Sequence, residues 1–324
     1  MDIGGANTKA ARLEGTSLRT VSRPFEVWRD RQALSAVLRD VTAEVGSADA
    51  VAVTMTAELS DAFRTKREGV TFVLDAVEDA LGDRPLSVLT TAGDLVSMTA
   101  ARARPLDIAA ANWVATALAV ADAHPDALLI DVGSTTADVV PIADGRVAAS
   151  GYDDLERLRA GELVYTGVLR TNLAAIAPRV PVRGGWCPVA SEYFAISADV
   201  HLVLGQLAPE AYVCPTPDGR PATVAFARER IARLVCADVE QLDETEIDAI
   251  AAYLAGEQLR QIAEAARRVV LPLPPRAPVV AAGSGAFLGR EVAARLGRTV
   301  AAARFGGELG PAAALAALLA ARPC

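Results

Sequence analysis

Asp2-Ile3-Gly4-Gly5-Ala6-Asn7-Thr8-Lys9 opens the chain, and Asp131-Val132-Gly133-Ser134-Thr135-Thr136-Ala137-Asp138 repeats its pattern in mid-chain. Each copy has an aspartate at a predicted strand end, then a turn of small residues, then a second strand. Glycine lets backbone amides and hydroxyls approach phosphate oxygens, and an aspartate can hold a divalent cation. Two such turns facing each other would form a clamp for a di- or triphosphate.

Composition excludes several classes of protein. The 324 residues, 52% of them hydrophobic, suffice for about two folded domains. A net charge of −8 argues against nucleic acid, and no apolar run reaches the roughly 20 residues of a membrane span. Because the motif starts the chain and no signal peptide precedes it, we expect a cytoplasmic protein. The widely spaced Cys187, Cys214, Cys236 and Cys324 do not predict a zinc site.

Strands and helices alternate along the chain, which predicts an α/β fold. Predicted strands cover residues 9–14, 18–25, 50–54, 86–90, 127–130, 139–142, 146–150 and 278–282. Predicted helices cover residues 29–46, 66–82, 106–123, 223–236 and 244–268, with one more after residue 285 and one from residue 311. We predict a first domain at 1–126, and a second at 127–310 with an irregular binding insert at 151–222. A final helix at 311–324 would return to the first domain and be buried between the two.

Six phrases resemble one family. They are Asp2-Ile-Gly-Gly-Ala-Asn-Thr-Lys9, Thr54-Met-Thr-Ala-Glu-Leu-Ser-Asp61, Ala111-Asn-Trp113, Gly161-Glu-Leu-Val-Tyr-Thr-Gly-Val168, Ser191-Glu-Tyr-Phe194 with Ser197-Ala-Asp199, and Ala282-Gly-Ser-Gly285. The chain resembles the hydantoinase and oxoprolinase family of the acetate kinase, sugar kinase, Hsp70 and actin superfamily. It is most similar to the short members linked to tetrahydromethanopterin-dependent one-carbon transfer, which include the furan–phenol ether synthase of methanofuran biosynthesis.

The resemblance implies two duplicated actin/Hsp70-like, ribonuclease H-like domains with an interdomain cleft. It also implies a transferase that condenses an aminomethylfuran-methyl diphosphate with a tyrosine- or tyramine-type phenol and releases diphosphate. Magnesium would be held by Asp2 and Asp131, the latter also counted as catalytic. The expected phosphate-binding residues are Gly4, Gly5, Asn7, Thr8, Lys9, Gly133, Ser134, Thr135, Thr136, Gly283, Ser284 and Gly285.

The phenol must also be oriented and lose a proton. Candidate bases are Glu58, Glu192 and Asp199, with Asp138 in reserve, although carboxylates are more often helix caps or solvated surface groups. Tyr165 and Tyr193 are expected to stack on substrate rings, and Arg170 to pair with a substrate carboxylate. For all three, packing or a surface position is the plainer interpretation.

Two other functions stay open at this point. One is an ATP-dependent amide hydrolase of the hydantoinase and oxoprolinase type, with ATP in the same turns. The other is a non-catalytic nucleotide-binding assembly protein. Under each of these functions the expected ligands are small molecules, and a homo-oligomer is possible. Because the superfamily has a full strand before the first aspartate, whereas only Met1 precedes Asp2 here, we expect a natural start further upstream and greater stability in the longer chain.

Overall fold

The computed structural model describes residues 1–302 and 310–321. Contacts divide the chain into two compact units. Of the described residues, the first comprises 1–129, 140–159, 302 and 310–321, and the second comprises 130–139 and 160–301.

The first unit contains a six-stranded sheet. Its strands are β1 (Asp2–Ile3), β2 (Asn7–Glu14), β3 (Ser17–Pro24), β4 (Val51–Met55), β5 (Leu86–Leu89) and β6 (Leu95–Ser97), in the order β3-β2-β1-β4-β5-β6. Strand β1 pairs antiparallel with β2 and parallel with β4, and β4 continues parallel into β5. The end of β1 therefore lies beside the end of β4, which positions the residues that follow both strands.

Helices α1 (Leu34–Val45) and α2 (Lys66–Leu81) lie between strands of this sheet in the chain, and α3 (Met98–Ala103) and α4 (Asn112–Ala123) follow its last strand. Helix α1 buries residues at helical spacing, and Thr65 caps α2 by accepting from the amide of Glu68. The predicted helix at 106–123 begins only at Asn112, because Pro105–Asp107 forms a separate 3-10 turn and Ala110 has a positive φ of 52°. Strand β6 and helix α3 were not predicted.

A second sheet is formed around the second acidic turn. Its strands are β7 (Ala127–Val132), β8 (Ala137–Ala143), β9 (Arg146–Val147), β10 (Leu163–Val164), β13 (Val279–Ala282) and β14 (Val300–Ala301). Two more strands, β11 (Arg179–Val182) and β12 (Gly185–Pro188), form a separate hairpin. The order is β10-β8-β7-β13-β14, with β9 on β8. Because β7 is central and wholly buried, its end presents the turn from a rigid support.

The remaining helices are α5 (Asp154–Ala160), α6 (Ser197–Val203), α7 (Val224–Arg233), α8 (Glu244–Val269), α9 (Ala286–Arg295) and α10 (Pro311–Ala320). The predicted irregular insert at 151–222 therefore contains two helices, strand β10 and the β11–β12 hairpin. Its first part also belongs to the first unit, because α5 is tied there by an ion pair from Asp154 to Lys66.

Helix α10 packs against α4, β2 and β4 of the first unit. Alanine side chains allow this close approach, and Ala312, Ala313, Ala314 and Leu315 are buried. The contacts found for the helix are thus with the first unit, and the predicted continuation over 322–324 lies outside the described residues. Within the described part of the chain, no helix is both long and apolar enough to cross a membrane.

Candidate functional site

Each of the two acidic turns is closed by an equivalent backbone hydrogen bond. In the first turn (residues 4–7) the amide of Gly4 donates to the carbonyl oxygen of Asn7 at 2.9 Å. In the second turn (residues 133–136) the amide of Gly133 donates to the carbonyl oxygen of Thr136 at 2.8 Å. All residues of both turns are partly exposed, between buried strand residues. The repeated sequence therefore folds into a repeated structure.

Asp2 lies in β1, directly before the first turn, and is buried. It pairs in register with Lys9 on one side and with Thr54 on the other, so the three side chains share one face of the sheet. Asp2 Oδ1 has no hydrogen-bond partner among the described residues. Burial raises the pKa of Asp2, while the charges of Lys9 and of the amino terminus oppose the shift. An enclosed carboxylate oxygen without a donor is suited to a cation or to a water held by one.

The structure corrects the prediction for Thr8. Thr8 pairs with Ile3, so its side chain lies on the sheet face opposite to Asp2. It is fully buried, and its hydroxyl has no partner among the described residues. A phosphate at the first turn could use the amides of this turn and the exposed Lys9, but not the Thr8 hydroxyl.

A support loop (residues 166–170) holds the second turn in place by donating backbone hydrogen bonds to it. The amide of Val168 donates to the carbonyl oxygen of Gly133 at 3.0 Å, and those of Leu169 and Arg170 donate to that of Ser134 at 3.1 and 2.9 Å. Since the C=O and N–H of a trans peptide point in opposite directions, the Thr135 amide is directed away from these bonds. The support loop thereby leaves turn donors available for an anion.

Glycine is required where a second loop reaches the end of β7. Gly283 has a φ of +80°, and a Cβ on it would overlap Asp131 Oδ1 and the carbonyl oxygen of Val132. The amide of Gly285 donates to that carbonyl oxygen at 2.8 Å. Ser284, between the two glycines, is exposed. The glycine loop thus lies directly against the predicted metal ligand Asp131.

Glu58 lies in a short 3-10 helix, Ala57–Leu59, that follows β4. It is 1% exposed, and neither carboxylate oxygen has a hydrogen-bond partner among the described residues. Burial raises the pKa of Glu58 to about 7; Asp154 adds to the shift, whereas Lys66 and the backbone amides of Glu58 and Ala110 oppose it without completing a hydrogen bond. A carboxyl group with this pKa can exchange a proton near neutral pH.

Two charged residues that the sequence did not single out, Asp154 and Lys66, act electrostatically on Glu58. Lys66 Nζ lies 2.6 Å from Asp154 Oδ2, and both side chains remain partly exposed. The buried guanidinium of Arg157 stacks on the ring of Trp113, 4.0 Å from its centroid. Lys66 and Asp154 are 88 residues apart, so no local spacing predicted their meeting. The only available signal was the Ala111-Asn-Trp113 phrase.

Asp199 is not placed to act as a base. One of its oxygens accepts from Arg230 Nε and Nη2 at 2.9 and 2.7 Å and from the Tyr212 hydroxyl at 3.0 Å. The other accepts from the amide of Ile196 at 3.0 Å, and the side chain is fully buried. Its acceptor positions are occupied by groups that hold α6 and α7 together. Asp199 is therefore a structural ion-pair residue.

The other candidates of the second unit are placed as follows. Glu192 and Tyr193 are exposed in the loop before α6, and Tyr165 is 59% exposed beside the support loop. Arg170 is half-buried, and its amide contacts the second turn. Their roles toward a substrate stay predictions. Asp138 is buried in β8, in register with Leu163.

Comparison with known proteins identifies the family. The sequence model described as Hydantoinase/oxoprolinase matches residues 49–322. A protein of Methanocaldococcus jannaschii is 39% identical over 265 residues, which cover 82% of this chain and 79% of that protein. A protein of Methanococcus vannielii is 44% identical over 119 residues, covering 37% of this chain and 53% of that protein. Both are named (4-{4-[2-(gamma-L-glutamylamino)ethyl]phenoxymethyl}furan-2-yl)methanamine synthase.

Among solved structures, a chain of the PilM–PilN type IV pilus biogenesis complex is similar in fold alone. It is 12% identical, with a TM-score of 0.51 over 99% of this chain and 98% of that chain. The predicted α/β fold class is confirmed, with two six-stranded sheets and helices between and beside their strands. The chain belongs to the hydantoinase/oxoprolinase family.

Proposed function

We propose that the chain is a transferase of methanofuran-type cofactor biosynthesis that forms an aryl–alkyl ether. It joins the phenol of a tyrosine- or tyramine-type substrate to an aminomethylfuran-methyl diphosphate. The observation that carries this proposal is the 39% identity, over 82% of the chain, to a synthase whose name describes a phenoxymethyl furan with an aminomethyl group.

In the proposed reaction the phenolic O–H bond breaks, and a C–O bond forms between the phenolic oxygen and the furan-methyl carbon. The bond from that carbon to the diphosphate oxygen breaks, and diphosphate leaves with the electron pair. The furan ring stabilises positive charge on the methyl carbon. The main tasks of the protein are therefore to hold the diphosphate charge and to accept one proton.

The second turn is the proposed diphosphate site. Its amides and the hydroxyls of Ser134, Thr135 and Thr136 can donate to phosphate oxygens. The support loop fixes the turn through backbone hydrogen bonds to Gly133 and Ser134. Arg170, whose backbone is bound to Ser134, would add positive charge next to the site.

The carboxylates present fit magnesium bound together with phosphate. Among the described residues no group of three or more His, Cys, Asp or Glu could hold a metal, whereas the Oδ1 atom of Asp2 is buried without a donor. Mg²⁺ commonly keeps its waters and takes one or two carboxylates plus substrate phosphates. We propose Asp2 and Asp131 each as a carboxylate ligand. When bound, magnesium would neutralise charge on the departing diphosphate.

Glu58 is the proposed acceptor of the phenolic proton. Its pKa of about 7 suits a base at neutral pH, and neither of its oxygens is engaged by another described group. Because the carboxylate is enclosed, transfer to it requires a bridging water or a movement of the 57–59 segment. Asp199 is not the base in this reaction, because Arg230, Tyr212 and the amide of Ile196 already donate to its oxygens.

The test combines ligand binding with product formation. Purified protein is heated with magnesium and either inorganic diphosphate or ATP, and the two furan and phenol substrates are then supplied for detection of the ether by mass spectrometry. We expect diphosphate to raise the Tm more than ATP does, and the ether to form. ATP turnover that depends on a cyclic amide, with no ether formed, would instead support the hydrolase.

A further inference from the structure

Gln258, in the middle of α8, connects the interior of the second unit to the support loop. Its Nε2 donates to Thr166 Oγ1 at 2.9 Å and to the carbonyl oxygen of Gly167 at 2.8 Å. Gln258 and Thr166 are each 1% exposed. Two hydrogen bonds from one buried amide to adjacent residues fix the start of the loop, since losing them would leave buried polar groups unpaired.

His201 fixes the orientation of this amide. Its Nε2 lies 2.8 Å from Gln258 Oε1. The carbonyl oxygen of Gly167 can only accept, so the NH₂ group of Gln258 faces the loop and its oxygen faces the ring. His201 Nε2 therefore carries a proton and donates it to Gln258.

The surroundings of His201 keep its ring in this place. The residue is fully buried, and its ring packs edge-on against Phe287, with 5.2 Å between the ring centroids. Its Nδ1 lies 2.8 Å from Oε1 of Gln206, and because a neutral ring protonated at Nε2 accepts at Nδ1, the Gln206 amide must be turned so that its NH₂ group faces the ring. Burial lowers the pKa of His201, which favours the neutral ring.

Backbone contacts of the support loop fix the second turn relative to Gly167. Gly167 lies so close to Ser134 and Thr135 that a Cβ at this position would overlap the backbone of both. The next three residues, 168–170, donate their amides to the carbonyl oxygens of Gly133 and Ser134. A displacement of Gly167 must therefore displace the turn.

We propose that His201 and Gln258 are positioning residues, which act through the support loop to hold the second turn in the geometry that binds diphosphate. Neither residue is in the turn itself. The inference rests on the proposed function for its ligand, but the mechanical link from Gln258 to the turn is independent of that ligand.

The first experiment measures the link without any ligand, by hydrogen exchange of the amides of Gly133 and residues 168–170. The test variant is Gln258→Leu, and the matched control is Gln261→Leu. Gln261 lies one turn further along α8 and donates to a different loop, at the carbonyl oxygen of Ile176. We expect exchange about tenfold faster in Gln258→Leu and unchanged in Gln261→Leu.

Three further variants separate positioning from a general loss of structure. His201→Gln retains a donor near the position of Nε2 and should keep slow exchange, whereas His201→Leu should behave as Gln258→Leu does. If Gln258→Leu does not fold, Thr166→Val decides, because it removes only the loop hydroxyl; exchange should then rise about threefold. Equal acceleration throughout the second unit, or none at these amides, overturns the link.

The second experiment titrates inorganic diphosphate with magnesium. Wild-type protein should bind it, and Gln258→Leu should raise the Kd about tenfold while Gln261→Leu leaves it unchanged. Failure of the wild type to bind contradicts the proposed function, and the exchange data still decide the link. Binding by the wild type with an unchanged Kd in Gln258→Leu contradicts the positioning role.

Discussion

Gly167→Ala is the substitution that the geometry of the second turn makes most informative. A Cβ on Gly167 would lie 2.5 Å from the carbonyl carbon and 2.6 Å from the carbonyl oxygen of Ser134, and it would also overlap the amide nitrogen of Thr135. Non-bonded carbon contacts are comfortable at about 3.5–4.0 Å, so the turn or the support loop must move by about 1 Å. Both partners are backbone, so no side-chain rotation can relieve the contact.

We expect this overlap to cost about 1–3 kcal/mol in the free energy of unfolding. We also expect a loss of about 100-fold in kcat/KM for ether formation, because a misplacement of about 1 Å in a substrate-holding group has consequences of that size. The assay is steady-state ether formation at varied furan diphosphate, together with a denaturant titration.

Gly256→Ala is the matched control. Gly256 lies within α8, and a Cβ there would meet no atom within 4 Å. Alanine should stabilise this helix by up to about 1 kcal/mol and leave kcat/KM unchanged. Activity of Gly167→Ala within threefold of the wild type would refute the assigned role of the second turn.

Three more predictions follow from individual side chains. Glu58→Gln should slow ether formation and, above pH 7, stabilise the fold. The pKa of Glu58 is about 7 in the folded protein against 4.5 for a free glutamate, so Glu58 binds more protons when folded. The free energy of unfolding of the wild type therefore falls as pH rises through this range, by at most about 3 kcal/mol. Asp199→Asn should lower the free energy of unfolding by about 1.5–3 kcal/mol, because it removes the buried carboxylate that pairs with Arg230 and leaves Asp218 as the charge partner of that guanidinium. Thr8→Val should leave diphosphate affinity unchanged, since Thr8 shares a face with Ile3 and not with Asp2.

Denaturant titrations from pH 4 to 9 check the first of these, and a pH dependence that is the same in the wild type and Glu58→Gln would refute it. For Asp199→Asn, unchanged stability with lost turnover would restore Asp199 as a base. For Thr8→Val, a large rise in the diphosphate Kd would show that the hydroxyl contacts phosphate after all.

The local phrases of the sequence carried much of the fold. The two acidic turns, the helix at 244–268 and the strand before Gly283 all follow from short-range patterns of small, apolar and capping residues. For the same reason the repeated sequence predicted a repeated turn, and the structure adds the equivalent hydrogen bond that closes each copy. The 151–222 segment was harder, because its short helices and hairpin depend on contacts with distant parts of the chain.

The residues of the candidate site were predictable only where they belong to one short, continuous motif of the sequence. Register decided against Thr8, since one residue of offset places a side chain on the other face of a sheet. Long-range pairing decided against Asp199, whose partner Arg230 is 31 residues away. The Lys66–Asp154 pair and the contact from His201 to Gln258 likewise join segments that no periodicity connects.

The central claim, that Asp131 and the second turn bind diphosphate together with magnesium, is tested most directly by calorimetric titration of wild-type protein and Asp131→Asn. We predict that the wild type binds inorganic diphosphate only when magnesium is present, and that Asp131→Asn remains folded but loses this magnesium-dependent binding. Equal diphosphate affinity in the two proteins, or binding by the wild type that is indifferent to magnesium, would contradict the account.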